Sequence, residues 1–298
     1  MTACRQENVV LEEIKQLDYP SASGMDICNK QVYIIGDDAT RLLVTDSNLA
    51  PVDSLLLYDF PGRRIPKNIK PDLEAMTVTN RREQPVLLVM GSGSLTPFRH
   101  MAWWVDPVTK KTDSMRLDTF YRRLGANGLD EINIEGLCEI PGQMLLSNRG
   151  SKGYPKNHLV LTSRSFWKNQ ADAPLTLIRM GVQTDSSVFN GISGLAYARK
   201  SDRLLLTVST EDTRNRFDDG AIGDSYLWIV DNISTKKNWK AINPNREINL
   251  TETDTRFKGK KIESVCVVKE TNRFLHLLLA ADNDDGKSTL YRLAVEKN

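Results

Sequence analysis

One short pattern of apolar and polar positions recurs five times along the chain. It reads Ala22-Ser23-Gly24-Met25, Leu73-Glu74-Ala75-Met76, Ile134-Glu135-Gly136-Leu137, Ile192-Ser193-Gly194-Leu195 and Ile262-Glu263-Ser264-Val265. The columns are apolar, serine or glutamate, small, apolar, and they return every 60 residues or so, a spacing of about 50–70 residues that marks a repeat architecture. A β-rich run follows each pattern, at 32–35, 86–90, 144–147, 204–208 and 276–280. Each run ends in a polar, turn-forming cluster, and a further apolar run follows at 42–45, 101–105, 158–162, 226–230 and 289–295. A fourth run is visible at 54–58, 115–121, 175–180 and 241–250. Runs of this length between turn residues, with almost no helical period, predict an all-β protein.

Four strands per repeat, set radially, describe a five-bladed β-propeller read as one domain over 1–298. The fifth repeat stops after its third strand, and the segment 9–17 is predicted to supply the missing one. Closure of that kind leaves no open sheet edge. The small third column has a physical cause as well, because innermost strands converge near the axis and need slim side chains.

In such a fold the first strand of a blade begins on the face where its second strand ends. The Ser/Glu column and the polar clusters therefore share a face, with Ser23, Glu74, Glu135, Ser193 and Glu263 ringing the mouth of the channel. Three carboxylates converging there must be protonated, paired with cations or neutralised by a metal. An all-oxygen donor set suits a hard cation of six to eight ligands, and calcium fits a wide ring better than magnesium. The competing reading is a solvated channel whose glutamates bond to waters and backbone amides.

Composition narrows the partners. Lys plus Arg (40) nearly balances Asp plus Glu (38), so no bulk field points to nucleic acid. The apolar run 275–281, interrupted by His276, is far too short to span a membrane. Cys28, Cys138 and Cys266 fall in separate strands and read as buried thiols, and three scattered histidines do not make a zinc site. Thr2-Ala3-Cys4 has two readings, the tail of a lipoprotein signal or an ordinary start.

The order Ser, Glu, Glu, Ser, Glu around five blades resembles the calcium-activated nucleotidases (apyrases), five-bladed propellers with a calcium in the channel. Asp37-Asp38-Ala39-Thr40-Arg41 stands where that family has Asp-Asp-Arg-Thr-Gly, and Asn148-Arg149-Gly150-Ser151 where it has Arg-Arg-Ala-Ser. Its acidic run ending in glycine and a cation is matched by 282–286 and Lys287. Ala39 and Asn148 each replace a cation of the family, which weakens the case for a nucleoside diphosphate site. The chain also resembles an uncharacterised group of bacterial propellers with Gly-Ser-Gly-Ser and Ile-Glu-Gly segments, and phytase-related propellers.

Two functions follow. The first is a calcium-dependent hydrolase of phosphate or other anionic esters. Asp37 or Asp38 would orient or deprotonate water, and Arg149 with Lys152 would offset developing charge. Ser92 and Ser94 of the Gly-Ser-Gly-Ser loop, Arg99 just beyond it, Lys152, Glu211 and Asp282 would line the substrate; the competing reading is a tight hairpin at 91–94 and solvated turn acids at 211 and 282. The second is a monomeric, non-catalytic propeller with a structural ion and a face that binds a small anionic ligand or a partner.

Overall fold

The computed structural model describes residues 8–181, 189–211, 222–237 and 239–297. The first strand, β1 (Val9–Leu17), precedes the first repeat. Blade one is β2 (Ala22–Cys28), β3 (Gln31–Gly36), β4 (Arg41–Thr45) and β5 (Pro51–Leu56). Blade two is β6 (Leu73–Arg81), β7 (Gln84–Gly91), β8 (Met101–Val105) and β9 (Thr112–Arg116). Blade three follows as β10 (Ile134–Ile140), β11 (Gln143–Asn148), β12 (Asn157–Ser163) and β13 (Leu175–Met180). Blade four has β14 (Asn190–Ala198), β15 (Arg203–Glu211) and β16 (Ile222–Asp231); β17 (Ala241–Ile242) and β18 (Arg246–Asn249) come next in the chain. Blade five is β19 (Lys261–Glu270), β20 (Phe274–Asp282) and β21 (Ser288–Glu296), and β1 pairs antiparallel with β21 as its outer strand. The N-terminal strand thus closes the propeller.

Each innermost strand packs on the next, from β2 through β6, β10, β14 and β19 back to β2. Apolar side chains from facing blades fill the spaces between sheets. Leu42, Leu87 and Leu278 lie in one such cluster, and Leu88, Leu146 and Phe166 in another. Slim residues allow the inner strands to approach. A Cβ on Gly136 would lie 2.6 Å from the Leu195 Cβ, and one on Gly194 would lie 2.9 Å from the Glu263 carbonyl oxygen.

One local feature repeats in all five blades. The register between first and second strand slips between Ala22 and Gly24, Leu73 and Ala75, Ile134 and Gly136, Ile192 and Gly194, and Ile262 and Ser264. The residues that fall out of register are Ser23, Glu74, Glu135, Ser193 and Glu263. A β-bulge leaves the extra residue unpaired and re-aims its side chain, so the polar column is a ring of bulges.

Two predicted strands differ. The run 115–121 is strand only to Arg116; Asp118–Ala126 is a helix, α1, that buries Phe120, Tyr121 and Leu124. Apolar residues at 117, 120, 121 and 124 have helical spacing, and that periodicity wins over the short strand. The run 241–250 is divided. Ala241–Ile242 adds in parallel to β13 of blade three, while Arg246–Asn249 forms the outer strand of blade four. Asn243-Pro244-Asn245 breaks it, because proline cannot donate to a ladder. Cys28, Cys138 and Cys266 are free and buried, as their apolar settings predict.

Candidate functional site

The position two residues before each ring residue decides how the ring is held, because side chains two apart in a strand share a face. Asn133 donates from Nδ2 to Glu135 Oε1 at 2.5 Å, and Lys261 pairs through Nζ with Glu263 Oε1 at 2.6 Å. In blade two that position is Asp72, an acid whose charge repels an ionised Glu74. Glu74 accordingly makes no hydrogen bond or ion pair among the described residues. The two ring serines tie adjacent blades. Ser23 Oγ donates to the Leu73 carbonyl and Ser193 Oγ to the Ile262 carbonyl, each at 2.5 Å. Their lone pairs remain available to a cation.

Asp72 is the hub of the mouth, with its backbone in the left-handed region at φ 53°. Lys70 Nζ lies 2.8 Å from one of its oxygens and also bonds Asp37. Arg99 donates to the other oxygen at 2.6 Å, Ser92 Oγ at 2.5 Å and Ser94 Oγ at 3.3 Å. The Gly-Ser-Gly-Ser loop is therefore wrapped around Asp72, and Ser92, Ser94 and Arg99 are all buried in that network. His100, beyond them, bonds Asp118 and stacks on Tyr121. Sequence reading missed Lys70 and Asp72; the only signal was an acid at the same offset from Glu74 that carries Asn133 and Lys261 elsewhere.

Carboxylate oxygens of Asp37, Asp72 and Glu74 all lie within 4.8 Å of one another. Among the described residues, the axial triplet Glu74, Glu135 and Glu263 does not form so tight a group. The best oxygen cluster thus sits on the side of the mouth between blades one and two. Burial pushes the Glu74 carboxyl well above the usual range, with Glu135, Asp72 and Asp37 adding repulsion. Burial also raises Glu135, to about 8; Arg149 opposes this and Glu263 reinforces it. For Asp37 burial outweighs Lys70, and Asp72 and Asp38 help lift the carboxyl to about 6. Burial works against a charge on Asp72 too, yet Lys70 and Arg99 together hold its pKa below the ordinary value.

The remaining predicted residues lie around this centre. Asp38 pairs with Arg64 at 2.7 Å, and one oxygen each of Asp37 and Asp38 is buried without a hydrogen bond. Arg149 is buried, its Nη1 4.0 Å from Glu135 Oε1, with its side chain laid against Gly191 of blade four. Lys152 is half-buried in the segment after β11. Asp282 ends β20, and burial raises its carboxyl. The Glu211 side chain lies outside the described residues. So does Cys4. No helix among the described residues is long and apolar enough to cross a membrane.

The acids of this constellation are Asp37, Asp38, Asp72, Glu74, Glu135, Glu263 and Asp282, and the cations set among them are Arg64, Lys70, Arg99, Arg149 and Lys261. Seven acids outnumber these five cations, and the protons kept by the raised carboxyls of Glu74 and Glu135, with Lys152 nearby, lessen the difference. A divalent cation would balance the acids once those carboxyls ionise.

Comparison with known proteins adds a family and little else. Among curated proteins, none matches the sequence. Of solved structures, a catalytically inactive virginiamycin B lyase from Staphylococcus aureus, with quinupristin, is 11% identical at TM-score 0.46, covering 95% of this chain and 99% of the lyase. The Cps50 (Swd1) β-propeller domain of Myceliophteria thermophila is 9% identical at TM-score 0.41, covering 96% of this chain and 99% of that domain. Neither is a nucleotidase, and at such identities and scores neither speaks to activity. A family profile, by contrast, matches residues 18–295, nearly the whole propeller. On that match the chain belongs to the family of unknown function DUF6929.

Proposed function

We propose that this propeller is a cation-dependent binder of small anionic ligands, with a calcium ion held at the channel mouth by Asp37, Asp72 and Glu74, and with Ser23 and the other ring residues close by. The observation that carries the reading is Glu74, a half-buried carboxyl with no hydrogen bond or ion pair among the described residues, set within 4.8 Å of two further carboxylates. A buried charge in that position is costly unless something neutralises it. The donors are all oxygen, which suits calcium. When bound, the ion supplies positive charge that attracts and polarises the oxygens of an anionic ester. Arg149, across the mouth from Asp37, would meet the rest of that anion.

Hydrolysis is a second reading, and Asp37 favours it. Its carboxyl is lifted to about 6 and one oxygen has no hydrogen bond, so it can accept a proton from water near neutral pH. Arg149 and Lys152 would then offset charge developing on the ester.

The test separates the two. Calcium added to chelated protein should raise the Tm by roughly 4 °C at a hundredfold excess over Kd, by mass action. Glu74→Gln should remove most of that shift and Asp284→Asn should leave it. No shift at saturating calcium overturns cation binding. Turnover of phosphomonoesters and nucleotides with calcium present, lowered at least tenfold by Arg149→Ala, would establish hydrolysis; its absence leaves the binding reading alone.

A further inference from the structure

The opposite end of the channel carries a feature of different character. Beyond the slim column, residues of all five inner strands line a cavity of about 490 Å³ at the end of the channel away from the glutamate ring. That size is within the usual range of small-molecule sites, about 300–1,000 Å³. Met25, Met76, Leu137, Leu195 and Val265, one residue from each blade, give it apolar walls. Its outer rim is formed by the ends of β14 and β19 and the turn after β14, with Arg199, Lys200 and Lys269.

Acidic and hydroxyl groups in this cavity are already engaged. Asp26 accepts from the backbone N–H of Val78 and of Ile27, each at 2.7 Å, which ties blade one to blade two. Glu139 accepts from Thr79 Oγ1 at 2.5 Å and pairs with Arg164 at 3.0 Å. Glu270 accepts from the Lys200 and Ser201 backbone N–H groups and pairs with Lys297 at 3.2 Å. Tyr197 donates to Asp202 at 2.9 Å. The side chains of Arg199, Lys200 and Lys269 differ: they are exposed and make no hydrogen bond or ion pair among the described residues. With the partners of the lining residues counted on both sides, four acids (Asp26, Glu139, Glu270, Asp202) meet five cations (Arg164, Arg199, Lys200, Lys269, Lys297), so positive charge is in excess at this mouth. Burial also raises the Asp26 carboxyl, which lessens the negative charge at depth.

We propose that this cavity is a second ligand site, taking an organic anion with an apolar body. A short carboxylate-headed amphiphile is the simplest such molecule. Its chain lies among the five apolar walls, and its head meets Arg199, Lys200 and Lys269 at the rim. Apolar burial supplies the affinity, and the cations choose the sign of the head group.

Calorimetric titration with octanoate, octyltrimethylammonium and 1-octanol tests this, since the three share a chain and differ in charge. Octanoate should bind one per chain, and the other two at least tenfold more weakly. Combined Arg199→Glu, Lys200→Glu and Lys269→Glu, all at exposed positions, should weaken octanoate at least tenfold without moving the Tm. Octanoate binding should be unchanged in Glu74→Gln and in chelator, because the sites are at opposite mouths. Equal binding of the cation or the alcohol overturns the proposal. So does full affinity in the triple variant, dependence on calcium, or no binding at all.

Discussion

At the scale of single residues, position in the repeat matters more than residue type. Glu74, Glu135 and Glu263 occupy one column, yet Asn133 steadies the second, Lys261 the third, and Asp72 opposes the first. The column was legible in the sequence; the partners two residues upstream were not, because Ser21, Asp72, Asn133, Gly191 and Lys261 share no chemistry and no pattern links them. Slim residues in the third column are the clearer case. Gly136 faces the Leu195 backbone nitrogen as well as its Cβ, so an added methyl has no room. Gly136→Ala should destabilise by about 2 kcal/mol, the usual scale of overpacking. Chemical unfolding measures it, and a neutral result would mean that the inner strands can part.

Among elements, the bulges and the closing strand carry the design. Each inner strand slips register at its ring residue, and this places five polar side chains at one level of the channel. The closing strand β1 pairs with β21 from Val9↔Val295 to Leu17↔Ser288. Truncation before Asp18 would leave β21 as a long open edge, a template for pairing with other chains. The truncated chain should aggregate or unfold many degrees lower, read by light scattering and thermal denaturation. A stable, monodisperse product would show that closure rests elsewhere, for instance on the Ser288 bonds to Ala22 and Tyr19.

For the whole molecule, the two mouths of the channel differ in character: carboxyl groups with raised pKa values gather at one, and exposed cations line the other. The carboxyl-lined mouth makes stability depend on pH. Asp37 at about 6 and Glu135 at about 8 lie above their ordinary unfolded values near 4, so between those limits the folded chain binds more protons than the unfolded one. The stabilisation from these protons is complete below the unfolded pKa and is lost as pH rises through the folded one. Chelated protein should therefore lose Tm steadily from about pH 5 to 8. Saturating calcium should flatten that slope, since it favours the ionised carboxylates. Parallel pH profiles with and without calcium would refute the link between the two.

The sequence alone determined the blade count, the closing strand and the polar column, because those depend on periodicities and side-chain classes that recur at fixed offsets. Buried thiols followed from the same apolar settings. Tertiary structure decided the rest, since it depends on which blades meet. It turned Ser92, Ser94 and Arg99 onto Asp72, brought Asp37 from blade one beside Glu74 of blade two, and left Glu74 with no hydrogen bond or ion pair among the described residues. It also opened the second cavity, whose walls come one residue from each blade, some 50–70 positions apart in the chain. Pairings across such distances arise from closing the ring, and no local pattern encodes them.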